Sequence, residues 1–187
     1  SLLTCAGVSY MVGIGPMAAL GMNIAALVMI FFLNKAAQSA AGIWFVFAFT
    51  GLLGGSLGYT LGYYAGFANG PEIIMQALGG TALVFFGLSG YVLTTKKDFS
   101  FMGGFLMTGI LVAFLAGLGA IFFEMPNLSL AVSSMFVLLM AGLILYETSN
   151  IIHGGETNYI MATVTLFVAI FNLFTSLLHL LGFMGDE

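Results

Sequence analysis

Long apolar runs separated by a few charged residues make up almost the whole chain. An uncharged stretch of 34 residues precedes the first charged residue, and further stretches of 36, 23, 25, 22, 8 and 29 residues lie between the charged positions that follow. A helix needs about 20 apolar residues to cross the hydrocarbon core of a bilayer, at about 1.5 Å of rise per residue. Every stretch except the 8-residue one is long enough. The pattern therefore predicts an all-α, polytopic membrane protein.

Glycine and proline divide the first stretch, because Gly13-Ile14-Gly15-Pro16 breaks a helix before a second apolar run. Residues 1–12 are too short to span a membrane. Since the chain begins with Ser, we expect them to be the end of a truncated first helix. We predict a single transmembrane domain over 1–187, with helices at approximately 1–12 (partial), 17–33, 42–66, 72–94, 101–123, 128–151 and 158–183.

Composition supports the membrane assignment and excludes other classes. The chain is 61% hydrophobic and 5% charged, with a mean hydropathy of +1.15, which excludes a soluble domain of this size. A net charge of −4 with only three basic residues argues against a nucleic-acid partner, since binding phosphates requires a basic surface. The single cysteine cannot form an intrachain disulfide, and no motif indicates a cofactor.

The lysines predict the orientation in the membrane. Lys35 lies between the second and third predicted helices, and Lys96 and Lys97 lie between the fourth and fifth, so all three fall on one side. The positive-inside rule makes that side cytoplasmic. The turn at 152–157 is then cytoplasmic by parity, and the C-terminus faces outward.

Small residues recur every fourth position in two predicted helices. Such smooth faces let helix backbones approach closely where lipid offers no hydrophobic drive to associate. We therefore predict tight helix packing, rather than a pore lining, at Gly54, Gly58 and Gly62 and at Gly109, Ala113 and Gly117.

The densest polar cluster spans residues 146–159, and Glu147 is its most deeply placed acid. It lies about five residues, or about 8 Å, inside the cytoplasmic end of the sixth predicted helix. An ionised carboxylate at that depth is costly unless it is paired, so it should be protonated or find a cation, water or hydrogen-bond donors. Glu147 is the candidate proton- or ion-sensing residue; the alternative is a side chain that reaches the nearby interface.

The last predicted helix carries Asn172, Ser176 and His179 on one face. Interhelical hydrogen bonding and an ion or proton path are the two interpretations. His179 also raises the possibility of an intramembrane serine hydrolase, with Ser89 of Gly87-Leu88-Ser89-Gly90 as the nucleophile. The predicted depths of Ser89 and His179 differ by about 20 Å, whereas a dyad needs about 3 Å.

The turn contains His153 and Glu156, which could ligate a metal ion. No second His or Cys lies nearby at ligand spacing. A turn made by Gly154-Gly155, followed by a capped helix start, explains these residues without a metal.

Three segments carry a family resemblance. Ser89–Gly104, Tyr146-Glu147-Thr148-Ser149 with the Asn172-Leu173-Phe174 region, and Ile151–Ile160 resemble the Bax inhibitor-1 family of seven-helix membrane proteins. The third segment is most similar to the bacterial branch that modulates the membrane-anchored FtsH protease. The resemblance implies a bundle with the last helix at its centre and the N-terminus in the cytoplasm.

By the same resemblance the protein is a non-enzymatic regulator in the bacterial inner membrane. Its partners would be the FtsH protease complex and the membrane regulators of that complex, besides the lipid bilayer. The cytoplasmic side would face the partner, through Lys96, Lys97, Asp98 and His153.

Some family members resemble pH-gated calcium leaks, in which an acid near the end of the sixth helix pairs with an acid in the seventh. Glu147 matches the first acid, and Ala169 stands at the second position. A methyl group can neither bind calcium nor share a proton. A pH-sensitive calcium leak through Glu147 is thus an alternative in which one half of the switch is missing.

Overall fold

The computed structural model describes residues 2–39 and 41–185, without the side chains of Leu3, Asn34 and Ala36. Ser1, Ala40 and the terminal Asp186-Glu187 of the predicted domain lie outside the described residues. Seven α-helices lie within the described residues: α1 Leu2–Val12, α2 Pro16–Ala36, α3 Ala41–Ala65, α4 Gly70–Thr95, α5 Gly103–Phe122, α6 Pro126–His153 and α7 Tyr159–Gly185. A short 3-10 turn, Ser100–Met102, precedes α5.

Six of the described helices, α2 to α7, are long and apolar enough to cross a membrane. Large apolar side chains such as Phe31 (79% exposed), Leu83 (77%) and Phe122 (80%) cover their outer surfaces. In water such a surface would drive association, whereas hydrocarbon solvates it. The predicted all-α, polytopic fold is confirmed, and each helix begins and ends within three residues of its predicted span.

The helices group into two compact units. Unit 1 contains the chain up to Pro71 together with Asn158–Val164, and unit 2 contains Glu72–Thr157 together with the chain from Thr165 onward. The last helix, α7, therefore contributes its first turns to unit 1 and its remainder to unit 2.

In unit 1, α1 lies along the glycine face of α3. A Cβ on Gly54 would stand 2.4 Å from the Leu2 carbonyl oxygen, and one on Gly58 would stand 2.5 Å from that of Ala6. Real Cβ atoms do not approach backbone so closely, so the two backbones are in direct contact only because these residues are glycines. The face predicted from the four-residue spacing is a helix-packing surface.

In unit 2, the small-residue face of α5 packs against α6. A Cβ on Gly109 would lie 2.6 Å from a methyl group of Leu139, and one on Gly142 would lie 2.8 Å from a methyl group of Leu106. The buried core of the unit draws on α5, α6 and α7 and contains Leu106, Ala113, Leu139, Met140, Ile144, Ala169 and Leu173. This packing fixes the position of α6, which carries the polar cluster.

Candidate functional site at the lysine end of the helices

The end of α6 in unit 2 is tied to the loop that joins α4 to α5. Ser149 is fully buried, and its Oγ accepts a hydrogen bond of 2.9 Å from the Phe99 N–H. The same hydroxyl donates to the Lys97 carbonyl oxygen at 3.3 Å. Because a loop backbone rarely finds partners of its own, this one serine satisfies a donor and an acceptor of the loop.

His153, one turn after Ser149, adds a third connection. Its Nε2 lies 3.1 Å from the Lys96 carbonyl oxygen, and its Nδ1 lies 2.9 Å from the Ser149 carbonyl oxygen. We call Ser149 and His153, with the backbone of residues 96–99, the loop contact. His153 was predicted to face a partner, and a metal-ligand role was considered for it and set aside. The side chain is exposed, and its two ring nitrogens lie against backbone carbonyls.

The loop that forms this contact carries three charged side chains. Lys96, Lys97 and Asp98 are all exposed, as a partner-facing surface requires. The Lys97 ammonium lies 5.7 Å from the centroid of the Tyr91 ring, a cation–π distance. The Ser100 backbone N–H donates to the Asp98 carboxylate at 2.8 Å, and this bond lowers the pKa of Asp98. The Ser100 hydroxyl, the His153 charge and the Ser149 hydroxyl make smaller contributions in the same direction.

The turn after α6 has the form that its glycine pair predicts. Gly154 adopts a left-handed φ of 75°, which glycine reaches without steric cost. The Asn150 carbonyl oxygen then accepts the Gly155 and Glu156 N–H groups. Among the described residues no three His, Cys, Asp or Glu side chains come together.

Asn158 begins α7 and connects it to α2 within unit 1. Its Oδ1 accepts the Ile160 N–H at 3.0 Å and the Met161 N–H at 3.3 Å, which is an N-cap. Its Nδ2 donates to the Ala37 carbonyl oxygen at 3.0 Å, just after α2. The polar cluster thus holds the lysine-bearing segments of each unit in place.

Glu147 is buried, with 5% of its surface exposed. Its Oε1 is the buried side-chain atom that has no hydrogen-bond partner among the described residues. The carboxyl group interacts with the Asn150 side chain and with the charge of Glu156. A buried acceptor without a donor is costly, so the burial predicted for Glu147 is observed, and Asn150 supplies only part of what an ionised carboxylate needs.

Ala169, at the position where the resemblance implies a second acid, is fully buried in the apolar core of unit 2 beside Ile144 and Leu173. A calcium ion requires six or more oxygen ligands. Glu147 offers one carboxylate, and the residues packed around Ala169 offer hydrocarbon. The side chains present do not fit a calcium site.

The polar residues on one face of α7 have different surroundings. The Asn172 side-chain amide donates to the Val168 carbonyl oxygen of its own helix at 2.9 Å, and Ser176 is buried. His179 Nδ1 lies 2.7 Å from the Ser133 Oγ of α6. Of these three residues, His179 makes an interhelical hydrogen bond, which was one of the two interpretations of the sequence.

The hydrolase interpretation requires Ser89 and His179 to meet, and they have separate partners. Ser89 Oγ lies 3.3 Å from Thr148 Oγ1 of α6, while His179 is bonded to Ser133. No dyad forms between them, as the predicted difference in depth implied.

Sequence reasoning missed three of the residues that make these connections. Ser149 was quoted in the polar cluster without a role, although its position one turn before His153 was a usable signal. No sequence signal indicated the bond between Ser133 and His179 or the bond from Asn158 to Ala37. The two residues of each pair are 46 and 121 positions apart in the chain.

Comparison with known proteins agrees with this architecture. The family model described as "Inhibitor of apoptosis-promoting Bax1" matches residues 1–186. A protein of Escherichia coli (strain K12), named modulator of FtsH protease YccA, is 52% identical over 85% of this chain and 72% of its own length. A protein of E. coli O6:H1 (strain CFT073) with the same identity and coverage is named inner membrane protein YccA. An uncharacterized membrane protein of Vibrio cholerae is 49% identical over 94% of this chain and 79% of its own length.

The match of the family model to nearly the whole chain agrees with the fold and with the segments that carried the resemblance. Six helices that can cross a membrane and relatives named as membrane proteins make this a multi-pass membrane protein. The chain belongs to the Bax inhibitor-1 family.

Proposed function

We propose that this protein is a non-enzymatic regulator that binds the membrane-anchored FtsH protease complex and modulates its proteolysis of membrane proteins. The observation that supports this most is the 52% identity, over 85% of the chain, to a relative named as a modulator of that protease. The direct backbone contacts of Gly54 and Gly58 with α1 are consistent with a bundle that a processive protease extracts slowly.

The partner surface in this proposal is the loop that carries Lys96, Lys97 and Asp98. All three side chains are exposed, while the loop contact holds the backbone beneath them. By the positive-inside rule this surface, with the N-terminus, lies in the cytoplasm, and the C-terminus lies in the periplasm of an inner-membrane protein. A preformed loop binds with less entropic cost than a disordered one.

Site-specific crosslinking in native membranes tests this proposal. A photoreactive residue in place of Lys97 should crosslink to FtsH or to its membrane regulators. The same residue in place of Glu124, an exposed position in the loop between α5 and α6, should not. Co-purification at native expression that recovers neither FtsH nor its regulators would refute the function, whereas crosslinks from 124 but not 97 would refute the surface alone.

The alternative is a pH-sensitive calcium leak, and the buried, unpartnered Oε1 of Glu147 is the observation that favours it. The protein reconstituted in vesicles should then pass calcium in a pH-dependent way that Glu147→Gln abolishes and Glu72→Gln, an exposed acid, leaves unchanged. Equal flux in wild type and Glu147→Gln would remove Glu147 from any such path. An intramembrane hydrolase would require loss of proteolysis in Ser89→Ala, and no arrangement around Ser89 supports one.

A further inference from the structure

A groove with a volume of about 720 Å³ lies between the helices of unit 1. Helices α1 and α2 form its walls, since they pack mainly against α3 rather than against each other, and α3 forms its floor. The lining extends from Met22 to Met29 on α2 and from Ala48 to Gly55 on α3. The residues of each pair are seven positions, or about 10 Å, apart along their helix. We call this cavity the α3 groove.

The α3 groove is closed at one end and has glycines in its floor. At Gly55 a Cβ would lie 2.6 Å from Met22 Sδ and 3.5 Å from Ser9 Oγ, so side chains of both walls meet the floor at this end. At Gly51 a Cβ would lie 3.5 Å from Cys5 Sγ, which is an ordinary van der Waals distance. The floor is therefore less crowded at Gly51, and the space above it stays open.

The rim of the α3 groove faces lipid. Ala48, at the end away from Gly55, is exposed, and Val8 on the α1 wall is 60% exposed. Ala48 lies inside the apolar segment Ala41–Ala65, which is long enough to cross a membrane. The medium around such a segment is hydrocarbon, so a molecule that enters the groove comes from the bilayer.

The lining favours hydrocarbon over water. Protein interiors are closely packed and leave few voids larger than a water molecule, so a space of this size is filled. A bound water needs about two to four polar partners, whereas this lining is mostly apolar, with Thr4 and Ser9 as its hydroxyl-bearing members. A flexible alkyl chain needs no polar partner, and the thioethers of Met22 and Met29 can adapt to its shape.

The open end of the groove, at Met29 and Ala48, points toward the lysine of unit 1. Lys35, in the last turn of α2, is exposed and is the only basic residue in either segment of the unit. It stands thirteen positions, or about 20 Å, beyond Met22 along α2, and one leaflet with its headgroups is about as thick. Trp44, one turn before Ala48, is 76% exposed, as expected of an aromatic side chain among headgroups.

We propose that the α3 groove binds one acyl chain of a bilayer phospholipid whose phosphate lies at Lys35. The acyl chain supplies the packing that α1 and α2 do not give each other, and its end lies against Met22 and Ser9. A lysine near the membrane surface attracts acidic lipids, so the headgroup is anionic. This lipid site belongs to unit 1, whereas the loop contact and Glu147 belong to unit 2, and it does not rest on the proposed function.

Cys5 can report on the α3 groove because it lines the groove and is the only cysteine in the chain. The full chain is purified in digitonin, whose rigid steroid body offers no flexible alkyl chain, and is reacted with a lipid-soluble maleimide. Dipalmitoylphosphatidylglycerol at about ten times its Kd should slow the labelling about tenfold, since the groove is then mostly occupied. Glycerophosphoglycerol, the headgroup without its chains, should have no effect. Unchanged labelling with the phospholipid, or equal slowing by the headgroup alone, would overturn the proposal.

A matched pair of variants tests whether the acyl chain occupies the groove. Ala48→Phe places a ring in the open end, so the phospholipid should no longer slow the labelling of Cys5. Ala25→Phe adds the same ring at an exposed position of α2 outside the lining and should keep the wild-type effect. Protection that survives in Ala48→Phe, or that is lost in Ala25→Phe, would contradict the proposed site.

A second pair of variants tests the position of the headgroup. Lys35→Gln should raise the phospholipid concentration that gives half-maximal protection about fivefold, as for the loss of one attraction between a lysine and an acidic lipid. Lys97→Gln removes a lysine of unit 2 and should leave this concentration unchanged. The same concentration in wild type and Lys35→Gln, or an equal shift in both variants, would show that the phosphate does not lie at Lys35.

Native mass spectrometry of the wild-type protein provides a test that does not depend on a variant folding. Protein released from nanodiscs of mixed phosphatidylglycerol and phosphatidylethanolamine should retain one phospholipid, enriched in phosphatidylglycerol over the bilayer. A chain released without lipid would overturn the proposal. So would protection of Cys5 that rises with protein concentration in the absence of phospholipid, because a second copy of the chain would then be the occupant.

Discussion

The two loops that flank α5 begin with the same backbone conformation, but different parts of the protein hold them in place. Each places a non-glycine residue, Lys96 or Glu124, at a φ of 51°, in the left-handed region that costs about 1 kcal/mol for such residues. The loop at Glu124 closes on its own helix, with the Met125 N–H bonded to the Ala120 carbonyl at 2.9 Å. The loop at Lys96 is held by side chains of α6, which lies some fifty residues further along the chain.

The difference shows which of the two loops depends on tertiary structure. Backbone bonds to α5 form as soon as α5 forms, so the loop at Glu124 is a local structure. The loop at Lys96 acquires its donors and acceptors only when α6 is in place beside α4. Substitutions on α6 should therefore disturb the loop at Lys96 and spare the loop at Glu124.

The largest loss of stability should come from Ser149→Ala. It leaves the Phe99 N–H without an acceptor and the Lys97 carbonyl without a donor, at a cost of about 2 kcal/mol. Ser134→Ala, on an exposed part of the same helix where the hydroxyl bonds only to Leu130, should change stability by less than about 0.5 kcal/mol. Reversible unfolding in bicelles measures both, and equal losses would show that the loop contact does not stabilise unit 2.

Gly103→Val should have the next largest effect, because it tests the close packing where the loop enters α5. A Cβ there would lie 3.0 Å from the ring and hydroxyl of Tyr146 on α6, so the larger side chain should cost about 1–2 kcal/mol. Gly119→Val is the matched control near the other end of α5, where nothing lies within 4 Å of the added Cβ. The same unfolding measurement compares them, and a control as destabilised as Gly103→Val would contradict the packing argument.

Replacing the left-handed residues with glycine should give smaller gains. Lys96→Gly and Glu124→Gly each remove the left-handed penalty, although glycine adds entropy to the unfolded chain, so a net stabilisation of about 0.5 kcal/mol is expected for each. Similar gains would show that the two backbones are equally strained. A loss in Lys96→Gly alone would show that the lysine side chain itself supports the loop.

The smallest expected effect is the loss in acid of the hydrogen bond between the Ser100 N–H and Asp98. The Ser100 N–H bond lowers the pKa of Asp98, so this bond favours the loop at neutral pH and is lost as the pH falls through the lowered pKa. The Ser100 amide shift should titrate with a midpoint below that of an ordinary aspartate, and in Asp98→Asn it should not titrate. A midpoint at the ordinary value would contradict the assigned bond.

The helices were predictable because a bilayer imposes their length and excludes charge from their centre. The positions of Lys35 and Glu124 were therefore enough to locate helix ends within three residues. The glycine spacing of α3 predicted a packing face for the same reason: in lipid, close approach requires small residues. The glycine spacing could not identify α1 as the neighbouring helix, because a face of small residues can pack against many different helices.

The candidate site was predictable only in part. The depth of Glu147 followed from counting residues back from the polar turn. The role of Ser149 did not, since it depends on the path of a loop whose Phe99 amide has no distinguishing sequence. The Ser133–His179 bond likewise depends on how α6 and α7 are rotated against each other, which the sequence pattern of either helix alone does not determine.

The position of Asn158 has a consequence for the order in which the protein can be assembled during synthesis. Helices α1 to α3 leave the ribosome before α7, yet unit 1 also contains Asn158–Val164, which are made after all the helices of unit 2 that precede them. Until those residues are made, the Ala37 carbonyl lacks the Asn158 amide that it accepts in the finished protein. The helices of unit 1 thus wait for a segment made more than ninety residues after α3, and a nascent chain arrested before Asn158 leaves unit 1 unfinished.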